Sequence, residues 1–145
     1  MQITENEIGT IVVESAIEVH RQLGPGLLES VYELALSHEI AICGLMVVCQ
    51  VPVPIRYKTV EFNEGFRADM IVADRVILEL KSVEQIAKVH IKQLQTYLKL
   101  SDKKLGYLLN FGAPLMKDGI IRVVNRLEDD PLRASASPRE NTKFF

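Results

Sequence analysis

The chain has 145 residues, 48% of them hydrophobic and 25% charged, with a formal net charge of −2, the make-up of one globular domain. A domain of roughly 150 residues buries about 68–70% of its unfolded surface, so a sizeable core is expected. No apolar run approaches the roughly 20 residues that span a bilayer, and the near-neutral charge leaves a nucleic-acid partner only a local basic patch to meet.

The opening MQITENEIGT has neither the basic start nor the apolar core of a secretory signal. Thr4 followed by Glu7 is a capping box, and Ile8, Ile11, Val12, Ser15, Val19 and Leu23 recur at helical spacing. His20 falls on that helix as a packed core histidine. Gly24-Pro25-Gly26 ends it. A second helix carries Leu28, Val31, Tyr32, Ala35 and Ile42 and stops near Gly44. Cys43 and Cys49, with no CxxC pair and no His at zinc spacing, read as reduced thiols of a cytosolic, cytoplasmic protein. Residues 46–57, MVVCQVPVPIRY, read as a strand, in which Pro52 and Pro54 ask for a sheet edge or a bulge. Two short apolar runs follow in FRADMIVADRVILELKS. A third helix is expected over about 84–99, then strands in KLGYLLNFG and DGIIRVVN. The domain is placed at 1–127, and 128–145 is read as a polar tail with little order.

Within the paired runs, Asp69, Glu79 and Lys81 stand among Met70, Ile71, Val72, Val76, Ile77, Leu78 and Leu80. A half-buried carboxylate is costly unless a partner or a metal meets it. If the runs form a hairpin with a three-residue loop centred on Asp74, Asp69 lies directly opposite Glu79 on one face. Their Cβ atoms are then about 4.5–5.5 Å apart, a distance at which two like charges call for a cation. A two-residue loop would send Asp69 to the other face. On spacing alone, E-x-K also describes a solvated strand face with a cross-strand ion pair.

Two other segments supply company. On the third helix Ala87, Ile91, Leu94 and Leu98 form a core stripe, with His90, Gln93 and Tyr97 on a neighbouring stripe. Lys88, Lys92 and Lys99 make a modest basic strip suited to phosphates or to plain solvation, and His90 is equally suited to a bond with backbone. In GPGLLESVY, Glu29 and Tyr32 start the second helix one turn apart. Interaction with the helix dipole is an alternative account of Glu29.

Together these residues carry a resemblance. Gly26-Leu27-Leu28-Glu29-Ser30-Val31-Tyr32 matches GxxExxY, and EVHRQLGPGLLESVY resembles the start of the GxxExxY protein family. The likeness continues through Gln50, Arg67-Ala68-Asp69, Glu79-Leu80-Lys81, QLQTYL and GYLLNFG to about residue 125. Ala68 stands where the name-giving proline of PD-(D/E)XK would be. That family is similar to the PD-(D/E)XK nuclease superfamily. The resemblance implies an α/β, restriction-endonuclease-like αβββαβ core, with a mixed sheet flanked by helices and an extra N-terminal helix. It implies Mg2+-dependent hydrolysis of nucleic-acid phosphodiesters, DNA before RNA, with Mn2+ as a substitute ion. Asp69, Glu79 and Lys81 would be the signature triad, Glu29 a helix-borne acid and Gln93 the residue of the following helix. Metal ligands would be Asp69, Glu79 and the Leu80 carbonyl, with Glu29 acting through water or on a second ion. Tyr97, Lys88, Lys92 and His90 would line the substrate cleft. Partners would be nucleic acid and a second copy or partner protein, with no membrane. Two other readings use the same fold and site: an idle nucleic-acid- or protein-binding module, and a hydrolase of a smaller phosphate ester. The intact Asp, Glu and Lys weigh against the first. The lack of an aromatic-rich or strongly basic surface keeps the second open.

Overall fold

The computed structural model describes residues 2–127 and 142–144. Helix α1 (Glu5–Leu23) starts from the expected capping box: Glu7 donates its N–H to Thr4 Oγ1 at 3.1 Å, and Thr4 donates its own to Glu7 Oε1 at 2.9 Å. Two of the orphan donors of a helix start are thereby satisfied. The helix ends at Gly24, whose φ of 74° lies outside the range other residues adopt easily. After the GPG turn comes α2 (Glu29–Ile42), then strands β1 (Val47–Tyr57), β2 (Val60–Val72) and β3 (Val76–Lys81), helix α3 (Lys88–Ser101), and strand β4 (Leu105–Asn110). A 3-10 turn (Met116–Gly119) leads into β5 (Ile120–Val124), and β6 (Thr142–Phe144) closes the series.

The sheet runs β1-β2-β3-β4-β5-β6, with only β3 and β4 parallel. Helix α3 makes that parallel crossover, as parallel neighbours require. This is the expected αβββαβ core with a mixed sheet and an added first helix. Strand β1 is an edge, and its register with β2 shifts between Val53 and Ile55, at Pro54, so the prolines found both an edge and a bulge. The body of the expected tail, 128–141, lies outside the described residues. Its end is a correction: 142–144 pair with β5 and so cover an otherwise open edge.

One face of the sheet is covered by α1 and α2, where Val12, Ala16, Tyr32 and Leu36 pack on Val72, Leu78 and Tyr107. The other face carries α3, whose Leu94 and Leu98 pack on Ile71, Ile77 and Leu108. A buried aliphatic side chain contributes roughly 1.5–3 kcal/mol, so these two layers hold the sheet from both sides. Helix α3 starts at Lys88, later than the expected 84, for a reason remote in sequence. Asn110 grips the Val83 backbone, accepting its N–H at 3.0 Å and donating to its carbonyl at 2.9 Å. Gly112 lies against the same backbone, where an added Cβ would come within 2.3 Å of the Val83 carbonyl oxygen. Residue 83 is thus fastened to the end of β4, and the chain turns into a helix only after it.

Candidate active site

The GPG turn fixes where α2 begins. The Tyr32 hydroxyl donates to the Gly24 carbonyl at 2.6 Å and accepts the Leu27 N–H at 3.0 Å, while its ring stacks on Phe111 with centroids 4.4 Å apart. Ser82, next to Lys81, donates its hydroxyl to the Leu27 carbonyl at 2.7 Å. Gly26, at φ 94°, lets the turn close. The Gly and Tyr of GxxExxY are therefore the structural parts of the motif. They dock the first turn of α2 against the end of β3 and present Glu29 there.

The β2–β3 hairpin has the three-residue loop, with pairs Val72↔Val76, Ile71↔Ile77 and Met70↔Leu78. The ladder stops at Met70 and Leu78, one step short of Asp69 and Glu79. Side chains take over from backbone at that step. Leu80 donates its N–H to Asp69 Oδ2 at 2.8 Å, and Asp69 directs its own N–H at Glu79 Oε1 at 3.4 Å. Glu79 is half-buried, and its carboxyl is pushed up to about 8 by burial first and by the charge of Asp69 second. Burial and the neighbouring charge thus favour its protonated form at neutral pH. Lys81, two residues on, acts in the opposite direction on Glu79 but weakly. Such a pair either holds its proton or exchanges it for a cation.

Helix α3 meets the pair from the other side. Tyr97 stacks on Phe66 with centroids 3.8 Å apart and planes 3° from parallel. Burial raises its phenol pKa, as do the charges of Glu79 and Asp69, while a hydrogen bond from Gln93 lowers it. His90 is occupied by backbone, its Nδ1 accepting the Ala87 N–H at 3.3 Å at the start of α3. Lys88 and Lys92 are exposed and form no ion pair among the described residues. His20 is buried with Nε2 2.8 Å from the Ala113 carbonyl, the packed role expected of it.

A cleft on the α2 side is lined by Glu29, Ser30, Glu33, Gln50, Asp69 and Leu80. Glu29, itself exposed to solvent, and Asp69 both line this cleft, whereas Gln93 is not on its wall. Glu33 was not singled out in the sequence. Its signal was its place one turn after Glu29, on the same helix face. Gln50 donates to Glu33 Oε1 at 2.7 Å. Among the described residues no three His, Cys, Asp or Glu side chains stand close enough to hold a metal ion by themselves. None of the helices among the described residues is long and apolar enough to cross a membrane.

No curated protein and no solved structure matches the chain. One family model does, over residues 6–123, from the first turn of α1 to the end of β5, and so takes in every residue of the site just described. A match over more than half of the chain, on a mixed sheet that joins Asp69 to Glu79, decides the affiliation: the chain belongs to the PD-(D/E)XK nuclease superfamily.

Proposed function

We propose that this chain is a Mg2+-dependent phosphodiesterase of the GxxExxY family, an endo- or exonuclease that cuts nucleic acid, DNA in preference to RNA. The observation that carries the reading is the meeting of Asp69 and Glu79 where the β2–β3 ladder breaks off, with Lys81 next on the strand. Membership of a nuclease superfamily supports it.

The donor set suits a hard ion. Two adjoining carboxyl groups offer oxygen ligands only, and the lack of a cluster of three ligating side chains among the described residues leaves coordination positions for water. Mg2+ favours such sites, holding few protein oxygens and keeping several waters, whereas zinc is usually held in a closed cage of nitrogen and sulfur ligands. Asp69 and Glu79 would hold the ion, with the Leu80 carbonyl beside them and Glu29 reaching it through water. When bound, a divalent cation neutralises phosphate charge and lowers the pKa of a bound water. The chain's own residues do the rest. Lys81 orients the attacking water and stabilises negative charge that develops on the phosphate. Gln93 bonds the Tyr97 hydroxyl at the edge of the site, and Lys88 and Lys92 offer charge to flanking phosphates. A second copy of the chain or a partner protein would help grip a duplex.

The test is incubation with labelled single-stranded, duplex and branched DNA and RNA in Mg2+, Mn2+ or EDTA, with Asp69→Asn in parallel. Cleavage should need the metal and Asp69. A wild type that binds Mg2+ yet cuts none of these substrates would overturn the nuclease reading, and a panel of small phosphate esters would then identify a smaller substrate.

A further inference from the structure

The edge ribbon of β1 and β2 turns over in the middle. On an uninterrupted strand, alternate residues keep to one face. In β1, Val47 and Cys49 pack with the α1–α2 layer, but Val51, Val53 and Ile55 pack with the α3 layer. In β2, Phe66 and Ala68 belong to the α3 layer, but Met70 and Val72 belong to the α1–α2 layer. Both strands therefore change face, β1 between residues 49 and 51 and β2 between residues 68 and 70. No residue is inserted, because Cys49↔Met70 and Val51↔Ala68 keep one continuous register. The pair missing between them is Gln50 and Asp69.

Gln50 accommodates the turnover. Its φ of 53° lies in the left-handed region, uncommon for a non-glycine residue and out of place within a strand. Arg67 donates to the Gln50 carbonyl at 3.3 Å, and the Gln50 amide donates to Glu33 at 2.7 Å, so the turned residue is held at both ends. Across from it, Asp69 is released from the ladder on both sides, since β3 pairs with β2 only from Met70 onward. That release lets the Asp69 carboxylate reach the Leu80 N–H and Glu79 instead of projecting from a sheet face.

We infer that Gln50 is a positioning residue for the Asp69–Glu79 pair, and that it acts through its left-handed backbone: the turnover at residue 50 swings Asp69 out of the sheet and onto β3. The inference rests on the proposed metal chemistry only for the second of its two readouts.

The test compares Gln50→Gly and Gln50→Asn, which tolerate positive φ, with Gln50→Val, whose β-branched side chain does not. The first readout is hydrogen exchange of the Leu80 amide, measured by NMR without metal. The second is Mn2+ affinity, measured by water-proton relaxation. Gly and Asn variants should keep wild-type Leu80 protection and Mn2+ affinity. The Val variant should remain folded by circular dichroism, lose Leu80 protection selectively and bind Mn2+ about tenfold more weakly or worse, the range seen when groups that orient metal ligands are removed. Should Gln50→Val not fold, Gln50→Gly against Gln50→Ala gives the same contrast, both lacking the amide and only Gly favouring the turn. Equal loss in the Gly, Asn and Val variants would overturn the inference in favour of the side-chain bond to Glu33. Unchanged Leu80 protection in the Val variant would overturn it altogether. A wild type that binds no Mn2+ sinks the proposed function, while the exchange readout still decides the role of Gln50.

Discussion

Replacing Glu79 by Gln should change how stability depends on pH. The Glu79 carboxyl titrates at about 8 in the folded chain against an ordinary 4.5, because burial and the Asp69 charge both disfavour ionisation. Between those two values the unfolded chain has lost the proton that the folded chain retains. The folded state binds more protons, so stability falls as pH rises, by at most about 1.4 kcal/mol per pH unit. The ceiling over the whole window is roughly 5 kcal/mol. Glu79 is only half-buried, so solvent screening lowers this, and we expect about 2–3 kcal/mol between pH 5 and 8. Stability from this group is complete below pH 4.5 and lost as pH climbs through 8. Glutamine resembles the protonated acid and can still donate to Asp69, so the variant should lack this slope and be the more stable of the two at pH 8. Urea melts in EDTA at intervals across pH 5–9 measure it. For a domain of about 150 residues the difference corresponds to roughly 4–12 °C in melting temperature. A variant whose pH slope equals that of the wild type would refute the account of a raised Glu79 carboxyl.

Asp69→Asn should hold or raise the melting temperature in EDTA, since an amide oxygen can still accept the Leu80 N–H, while Mg2+ stabilises the wild type and not the variant. An Asn variant that melts lower in EDTA, together with a wild type indifferent to Mg2+, would instead fit an ordinary ion pair. Tyr32→Phe keeps the stack on Phe111 but removes two hydrogen bonds to the GPG turn; it should cost about 1–2 kcal/mol by denaturant melting and make Glu29 less effective in any Mg2+-dependent activity. Asn110→Ala strands the Val83 N–H, the Val83 carbonyl and the Gly112 N–H, so a loss of about 3 kcal/mol or more is expected in the same melts. Gly112→Ala should be comparably damaging, because the new methyl group meets Val83 backbone that is fastened in place.

What could be read from the sequence was whatever the chain encodes locally. The capping box of α1, the GPG stop, the prolines of an edge strand and the hairpin around Asp74 each depend on a few neighbouring residues, and each is present. The opposition of Asp69 to Glu79 was legible for the same reason, because a short loop sets its register. What escaped depends on contacts across long separations. The late start of α3 comes from Asn110, 27 residues beyond Val83. The backbone role of His90 followed from that late start, which made His90 the third residue of the helix instead of a member of its second turn. The bond of Gln50 to Glu33, across 17 residues, is likewise invisible to local spacing.

The alternation rule itself gave a partly right answer for an incomplete reason. It placed Asp69 and Glu79 on one face by assuming an unbroken ladder. The two carboxylates do meet, but the ribbon turns over at Asp69 and the backbone ladder ends beside it. A regular ladder would have paired the Asp69 and Leu80 N–H groups with backbone and left two carboxylates facing each other across a sheet. The observed arrangement uses each carboxylate to satisfy a backbone donor, which holds both in place before any cation arrives. Three unfavourable features coincide there: a left-handed residue within a strand, an interrupted ladder and a half-buried acid beside a like charge. Elsewhere local rules are followed more closely, with a capped first helix and apolar layers on both faces of the sheet. Departures that coincide at one spot, and are compensated by packing around it, are what selection for chemistry leaves in a fold that stability alone would have made regular.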